Sequence, residues 1–271
     1  MKKLILWAIP ITTAAIVVGS LFIGMSGPNH TYPYPLPPLH MEVLLKAEAG
    51  DPTAQIQMGN WLKDGTLGIV DIAEAETWFR SAMDSGDKDA GYRLFFLLYD
   101  TNKNEALKAL EISAIRGNLE AQLLMADSAE HLRPPPGSPP NIEKDRESAR
   151  WRLAAAENGD ALSQFVYGTY ALRGAGGMEQ NSKVAAHWLE KASRQGNPTA
   201  QVFLAELFAE GNGVPQNLVM AHVWANIAAS TGDEYGKDLR DRLAQSMTAE
   251  QIARAQETAS RCQRTGFSEC E

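Results

Sequence analysis

Cys262 and Cys270 are the only two cysteines of the 271-residue chain, and they bracket Gln-Arg-Thr-Gly-Phe-Ser-Glu at its end. In an oxidising compartment a thiol pair at this spacing across a glycine-containing turn reads as a disulfide that constrains the tail locally. Metal ligation is the competing chemistry, but no histidine lies near the pair in sequence. His30, His40, His131, His187 and His222 are scattered, and no two of them stand three or four residues apart. Acid pairs occur at Asp238/Asp241 and Glu206/Glu210, where one helix face would carry both; in an acidic chain such pairs are most simply solvated. The chain contains no GxSxG elbow, HExxH, phosphate-binding loop or CxxC. Gly174-Ala175-Gly176-Gly177 has no strand before it and reads as a hairpin loop rather than a dinucleotide site. The expectation is a protein that is not an enzyme and that uses no metal and no cofactor.

The elements that would position any site are set by a repeat. A glycine followed by Asp or Asn recurs at Gly50-Asp51, Gly86-Asp87, Gly117-Asn118, Gly159-Asp160, Gly196-Asn197 and Gly232-Asp233, at intervals of 31 to 42 residues. Intervals of that length mark stacked helical hairpins. Glycine can end one helix in the left-handed conformation, and the next Asp or Asn can cap the helix that follows. Eight residues before four of these glycines stand Trp78, Trp151, Trp188 and Trp224, and four before them stand Ala82, Ala155, Ala192 and Ala228. Small and large residues thus alternate on one face of each second helix, a packing seam rather than a cofactor box. Nine residues after the glycines come Gly59, Phe95, Ala126, Gly168 and Ala205. Four of these five permit close packing of the first helix. Phe95 does not, and it sits in the shortest repeat.

The runs AEAGDPTAQIQMGNWLKDGTLG, AEAETWFRSAMDSG and NPTAQVFLAELFAEGNGVPQNLVMAHVWANIAASTGD resemble Sel1-like repeats, relatives of the tetratricopeptide repeats. The resemblance implies an all-α fold: a right-handed α-solenoid of about five hairpins over residues 41–260, closed by a C-terminal helical cap and a disulfide-bearing tail, 261–271. In related repeats the first helix of each hairpin lines a concave groove. Matching this sequence to that pattern places Asn60, Lys63, Tyr92, Phe96, Tyr99, Asp127, Glu130, Phe165, Thr169 and Glu206 there, as aromatic anchors with acids beyond them. Tyr92, Phe96 and Phe165 have a second reading as packing between repeats. A third-repeat insertion, Leu132 to Asn141 with five prolines, is a further candidate contact.

Residues 1–25 open with Lys2 and Lys3 and then run uncharged from Leu4 to Met25, 22 residues. As a helix this run spans about 33 Å, enough for a bilayer's hydrocarbon core. The lysines hold the start in the cytoplasm, so an N-terminal transmembrane helix would anchor the chain in the inner membrane with the remainder facing the periplasm. A cleaved signal sequence, leaving a soluble periplasmic protein, is the alternative. Residues 26–40 carry five prolines, the composition of a stiff spacer. Without Lys2 and Lys3, 23 basic residues face 33 acidic ones. That balance argues against nucleic acid and permits a basic protein partner.

Anchor, spacer and repeat domain together are similar to periplasmic Sel1-repeat immunity proteins that neutralise phospholipase effectors of type VI secretion. The sharpest expectation is therefore a protein partner that is a cognate secreted effector. An envelope scaffold or regulator of a resident complex is the alternative, and a Sel1-type hydrolase stands third. The lysines before the apolar run generate a direct prediction: a reporter fused after Glu271 is active only if it functions outside the cytoplasm. A signal from a cytoplasm-only reporter would refute this orientation.

Overall fold

A computed structural model describes residues 36–131 and 141–270. The apolar run, most of the proline spacer and the proline-rich insertion lie outside the described residues. Within the described residues there are thirteen α-helices and no strand. None of these helices is long and apolar enough to cross a membrane.

The chain divides into two compact units, one ending at Leu97 and the other beginning at Leu98. The first holds α1 (Pro38–Glu48), α2 (Pro52–Asp64), α3 (Ile72–Asp84) and nearly all of α4 (Ala90–Leu98). Here α1 packs on α2, and α2 forms a hairpin with α3. The second holds α5 (Lys103–Ile115), α6 (Leu119–His131), α7 (Ile142–Glu157), α8 (Ala161–Arg173), α9 (Ser182–Arg194), α10 (Pro198–Glu210), α11 (Leu218–Ser230), α12 (Glu234–Ala244) and α13 (Ala249–Arg264). Each of these helices from α5 to α12 packs on the next, and α12 and α13 both close against α11 as a terminal cap. The division falls within the short repeat in which Phe95 replaces a small residue. Its two helices, α4 and α5, belong to different units apart from the last residue of α4.

All six Gly-Asp/Asn pairs form the same junction. The glycines have φ between 83° and 95°. At Gly159 the amide donates to the Ala156 carbonyl and that of Asp160 to the Ala155 carbonyl, both at 3.0 Å, which satisfies two carbonyls left free at the end of α7. The Asp160 carboxylate then accepts the Ser163 amide of α8 at 2.6 Å. The same capping bond joins Asp51 to Ala54, Asp87 to Ala90, Asn118 to Ala121, Asn197 to Ala200 and Asp233 to Gly236. Two adjacent residues stop one helix and start the next.

A buried glutamine reinforces four of these junctions. Gln55, Gln122, Gln164 and Gln201 each donate Nε2 to a carbonyl in the last turn of the preceding helix, at Ala47, Ala114, Ala156 and Ser193, over 3.0 to 3.1 Å. Two of them are also tied to the end of the second helix of their own repeat. Asn158 donates to Gln122 Oε1 and to the Gly117 carbonyl, and Gln195 donates to Gln164 Oε1 and to the Gly159 carbonyl. Gln122 and Gln164 are thereby paired through both amide atoms, whereas the buried Oε1 atoms of Gln55 and Gln201 have no partner.

Trp151, Trp188 and Trp224 are buried on the second-helix seam, and Ala82, Ala155, Ala192 and Ala228 are fully enclosed beside it. The first repeat departs from this pattern. Trp78 is only half-buried, and Phe79 fills the core position instead. Its ring occupies the space beside Gly59, where an added Cβ would stand 2.5 Å from it.

The C-terminal tail is more than a local staple. Cys262 and Cys270 are disulfide-bonded with Cα atoms 4.5 Å apart, and both are fully buried in the core cluster that contains Trp224, Ile227 and Leu239. Phe267 packs against that cluster, and its carbonyl accepts from Arg194 at 3.3 Å. The expectation of a purely local constraint is thus corrected: the loop between the cysteines folds back and completes the terminal core.

No atom lies within 4 Å of a Cβ added at Gly159, so substitution there probes backbone conformation alone. Gly159→Ala is expected to lower stability by about 1–2 kcal/mol, the cost of holding a Cβ-bearing residue left-handed. Gly159→Asn should cost less, because asparagine tolerates that region. Denaturant unfolding checks the order, and equal stability of the alanine variant and the parent would refute it.

Candidate partner-binding site

The ten residues placed on the groove by sequence divide between the two units. Asn60, Lys63, Tyr92 and Phe96 fall in the first, and the structure brings them together. With Phe79, Arg93 and Leu97 they line a cleft of about 350 Å³. α2 supplies Asn60 and Lys63 one turn apart, and α4 supplies Tyr92 and Phe96 one turn apart. The Phe96 side chain lies edge-on to both Tyr92 and Phe95, with ring centres 5.1 Å away in each case, yet the residue remains 60% exposed. Arg93 was not singled out from the sequence. It donates from one Nη to Asn60 Oδ1 at 3.1 Å, while its buried Nε has no hydrogen-bond partner. Lys63 stands within 3.3 Å of the Asp64 carboxylate, with both side chains substantially exposed. An ion pair so solvated is weak and leaves the lysine available to a competing anion.

The remaining six residues belong to the second unit and have varied environments. Tyr99 is 40% exposed and has the Lys103 ammonium 5.3 Å from its ring centre. Asp127 accepts from the buried Arg152 guanidinium at 2.5 Å. Removing that carboxylate would therefore disturb a buried cation as well as a surface charge. Glu130 is part of α6, but its side chain lies outside the described residues. Phe165 packs edge-on to Phe203, ring centres 5.9 Å apart, against the core cluster of Ala185, Leu189 and Leu207. Thr169 is buried and donates its hydroxyl to the Val166 carbonyl at 2.7 Å. Glu206 accepts from the Tyr235 hydroxyl at 2.6 Å, which pushes that phenol's pKa up. Arg152 and Tyr235 escaped the sequence reading because their partners lie 25 and 29 residues away, in other helices.

The groups that suggested chemistry have structural settings. Gly176 and Gly177 are enclosed by Ala149, Tyr170 and Arg146, so their cluster is a hairpin loop packed on α7. Burial, followed by the nearby Arg240 charge, pushes the His222 pKa down; the Asp241 charge and a backbone hydrogen bond oppose the shift. No group of three or more His, Cys, Asp or Glu side chains converges among the described residues in a way that could hold a metal ion.

Residues 52–87, 161–197 and 198–233 match the Sel1 repeat family model. These segments contain the hairpins α2–α3, α8–α9 and α10–α11. Those three segments are therefore similar to Sel1 repeats, and the described residues around them are all-α. The intervening repeats lie outside the matched segments. One has Gly91 where its siblings have the junction glutamine and Ala109 where they have the seam tryptophan, and the other contains the proline-rich insertion. Among solved structures, a protective antigen of uropathogenic Escherichia coli with an SLR fold is 26% identical, with a TM-score of 0.55, over 84% of this chain and 50% of the antigen. The present chain thus spans half the length of that relative. A Sel1 repeat protein of Oxalobacter formigenes is 22% identical, with a TM-score of 0.49, over 72% of this chain and 85% of that protein. No curated protein matches the chain.

Two phenylalanines placed on the same groove by sequence are thereby separated. Phe165→Ala is expected to cost about 1–3 kcal/mol, because its ring packs against Phe203 and the neighbouring core. Phe96→Ala should change stability by less than about 1 kcal/mol, since most of that residue faces solvent. Thermal or denaturant unfolding of the pair measures the difference, and equal costs would refute the assignment.

Proposed function

We propose that this chain is a non-enzymatic protein-binding module of the bacterial periplasm, held at the inner membrane by its N-terminal apolar run. Its partner is a secreted phospholipase-type effector of type VI secretion, which it binds and neutralises as an immunity protein. The observation that carries the binding reading is Phe96. A large aromatic residue, 60% exposed, stands at a cleft that also contains two cations and an amide, and aromatic residues beside polar groups are preferred interface anchors.

Support for the location comes from the paired cysteines and from Lys2 and Lys3 before the apolar run. Support for the immunity role is the combination of apolar N-terminal run, proline spacer and repeat module in one chain. Neutralisation requires only that binding deny the effector its substrate, so the repeat surface need supply no chemistry of its own.

The test is capture from solubilised envelopes combined with toxicity. The full chain is expected to retain one tight partner encoded by the adjacent gene and to protect cells in which that partner is directed to the periplasm. Phe96→Ala, folded as the parent, should raise the dissociation rate about tenfold or more, as expected for loss of an interface anchor. Capture of several resident envelope proteins without protection would replace this reading with a scaffold. Hydrolysis by the purified chain alone would replace it with an enzyme.

A further inference from the structure

The cleft of the first unit has a charge opposite to that of the chain as a whole. The protein carries a net charge of −8, yet the seven residues lining the cleft include Lys63 and Arg93 and no acid. Phe79, Tyr92, Phe96 and Leu97 form the apolar part of its wall. Arg93 is already oriented by its bond to Asn60, and its buried Nε still lacks an acceptor. A buried donor without a partner costs free energy that an arriving acceptor recovers, and a carboxylate recovers most because it matches the guanidinium in both charge and shape.

We infer that this cleft recognises an acidic side chain, Asp or Glu, flanked by apolar residues on a segment of the protein partner. The carboxylate enters between Arg93 and Lys63, and an adjacent apolar side chain packs on Tyr92 and Phe96. Several features fit this occupant. A volume of about 350 Å³ is at the small end of ligand sites, so a short stretch of the partner fills it. Polar and apolar walls alternate along one helix: Arg93 follows Tyr92 directly and precedes Phe96 by three residues. A segment that presents an acid beside an apolar residue matches that order. Lys63 leaves the exposed Asp64 carboxylate at little cost, because a solvated ion pair contributes little to stability.

The assignment rests on the protein-interaction reading and sharpens it. The acids placed on the groove by sequence invited a basic partner, whereas this cleft selects an acidic segment. Long-range attraction to Lys63 would hasten association at low salt, and the bond to Arg93 would slow dissociation.

The test uses the full chain in detergent and three synthetic peptides, followed by calorimetry or by amide shifts of α2 and α4. The first is capped at both ends and carries Glu between two leucines, the second replaces that Glu by Gln, and the third has no acidic side chain but a free carboxyl end after leucine. The Glu peptide is expected to bind about tenfold or more tightly than its Gln twin, the ratio that one charge-assisted hydrogen bond supports. Arg93→Gln should abolish the preference. Lys63→Gln, on an exposed side chain that the fold does not need, should reduce it several-fold and flatten its salt dependence. Equal binding of the Glu and Gln peptides, binding of neither, or a preference unaffected by both substitutions would overturn the assignment. Preferential binding of the third peptide would also overturn it and assign the cleft to a chain end. Failure here with intact capture of the whole partner would remove the cleft's role and leave the interaction module standing.

Discussion

The structure depends on a two-residue junction in which a left-handed glycine ends one helix and the following Asp or Asn caps the next. Because the two functions occupy adjacent positions, the angle between consecutive repeats is set by backbone geometry rather than by side chains alone. The glycine removes the penalty of positive φ, and its amide and that of its neighbour satisfy carbonyls at the helix end. The Asp or Asn side chain satisfies an amide at the start of the helix that follows. The junction glycines themselves stay at least partly exposed, while the tryptophan seam and the small first-helix residues pack in the interior between the helices. The buried glutamines extend the same arrangement. Each returns to the last turn that its own glycine has terminated, and Gln122 and Gln164 also receive a donor from the end of the second helix of their own repeat.

The two units divide where the repeat varies most. The repeat built from α4 and α5 keeps the junctions, with Asp87 capping α4 and Asn118 capping α6. It lacks the junction glutamine, the seam tryptophan and the small residue of the first helix. The division between the two compact units falls within this repeat, between Leu97 and Leu98. Two aromatic residues of this repeat, Tyr92 and Phe96, line the cleft. The cleft thus lies where the chain departs from the repeat, as expected when regular positions fix a scaffold and leave the irregular ones open to other roles.

At the opposite end, the terminal core is completed by covalent closure. A solenoid must cover the apolar face of its last repeat, and α12 and α13 do so against α11. The Cys262–Cys270 bond then holds Phe267 against the same cluster, and Arg194 binds the carbonyl of that phenylalanine. The tail therefore links the cap to α9.

The sequence by itself determined the helical hairpins, their boundaries and their seam, because the signals are local. Glycine conformation, Asp and Asn capping and a helical apolar period all act within a few residues. It also placed Asn60, Lys63, Tyr92 and Phe96 on a groove together with six other residues, and packing gathers those four, but not the other six, around one cleft. The tertiary structure decided what long-range contacts control: that Phe79 rather than Trp78 fills the first core, that Asp127 is tied to Arg152 and Glu206 to Tyr235, and that Phe165 packs inward while Phe96 remains exposed. A side chain's position on its helix can be read from spacing. Whether that position meets solvent, a neighbouring ring or an opposite charge depends on helices tens of residues away, and only packing brings those together.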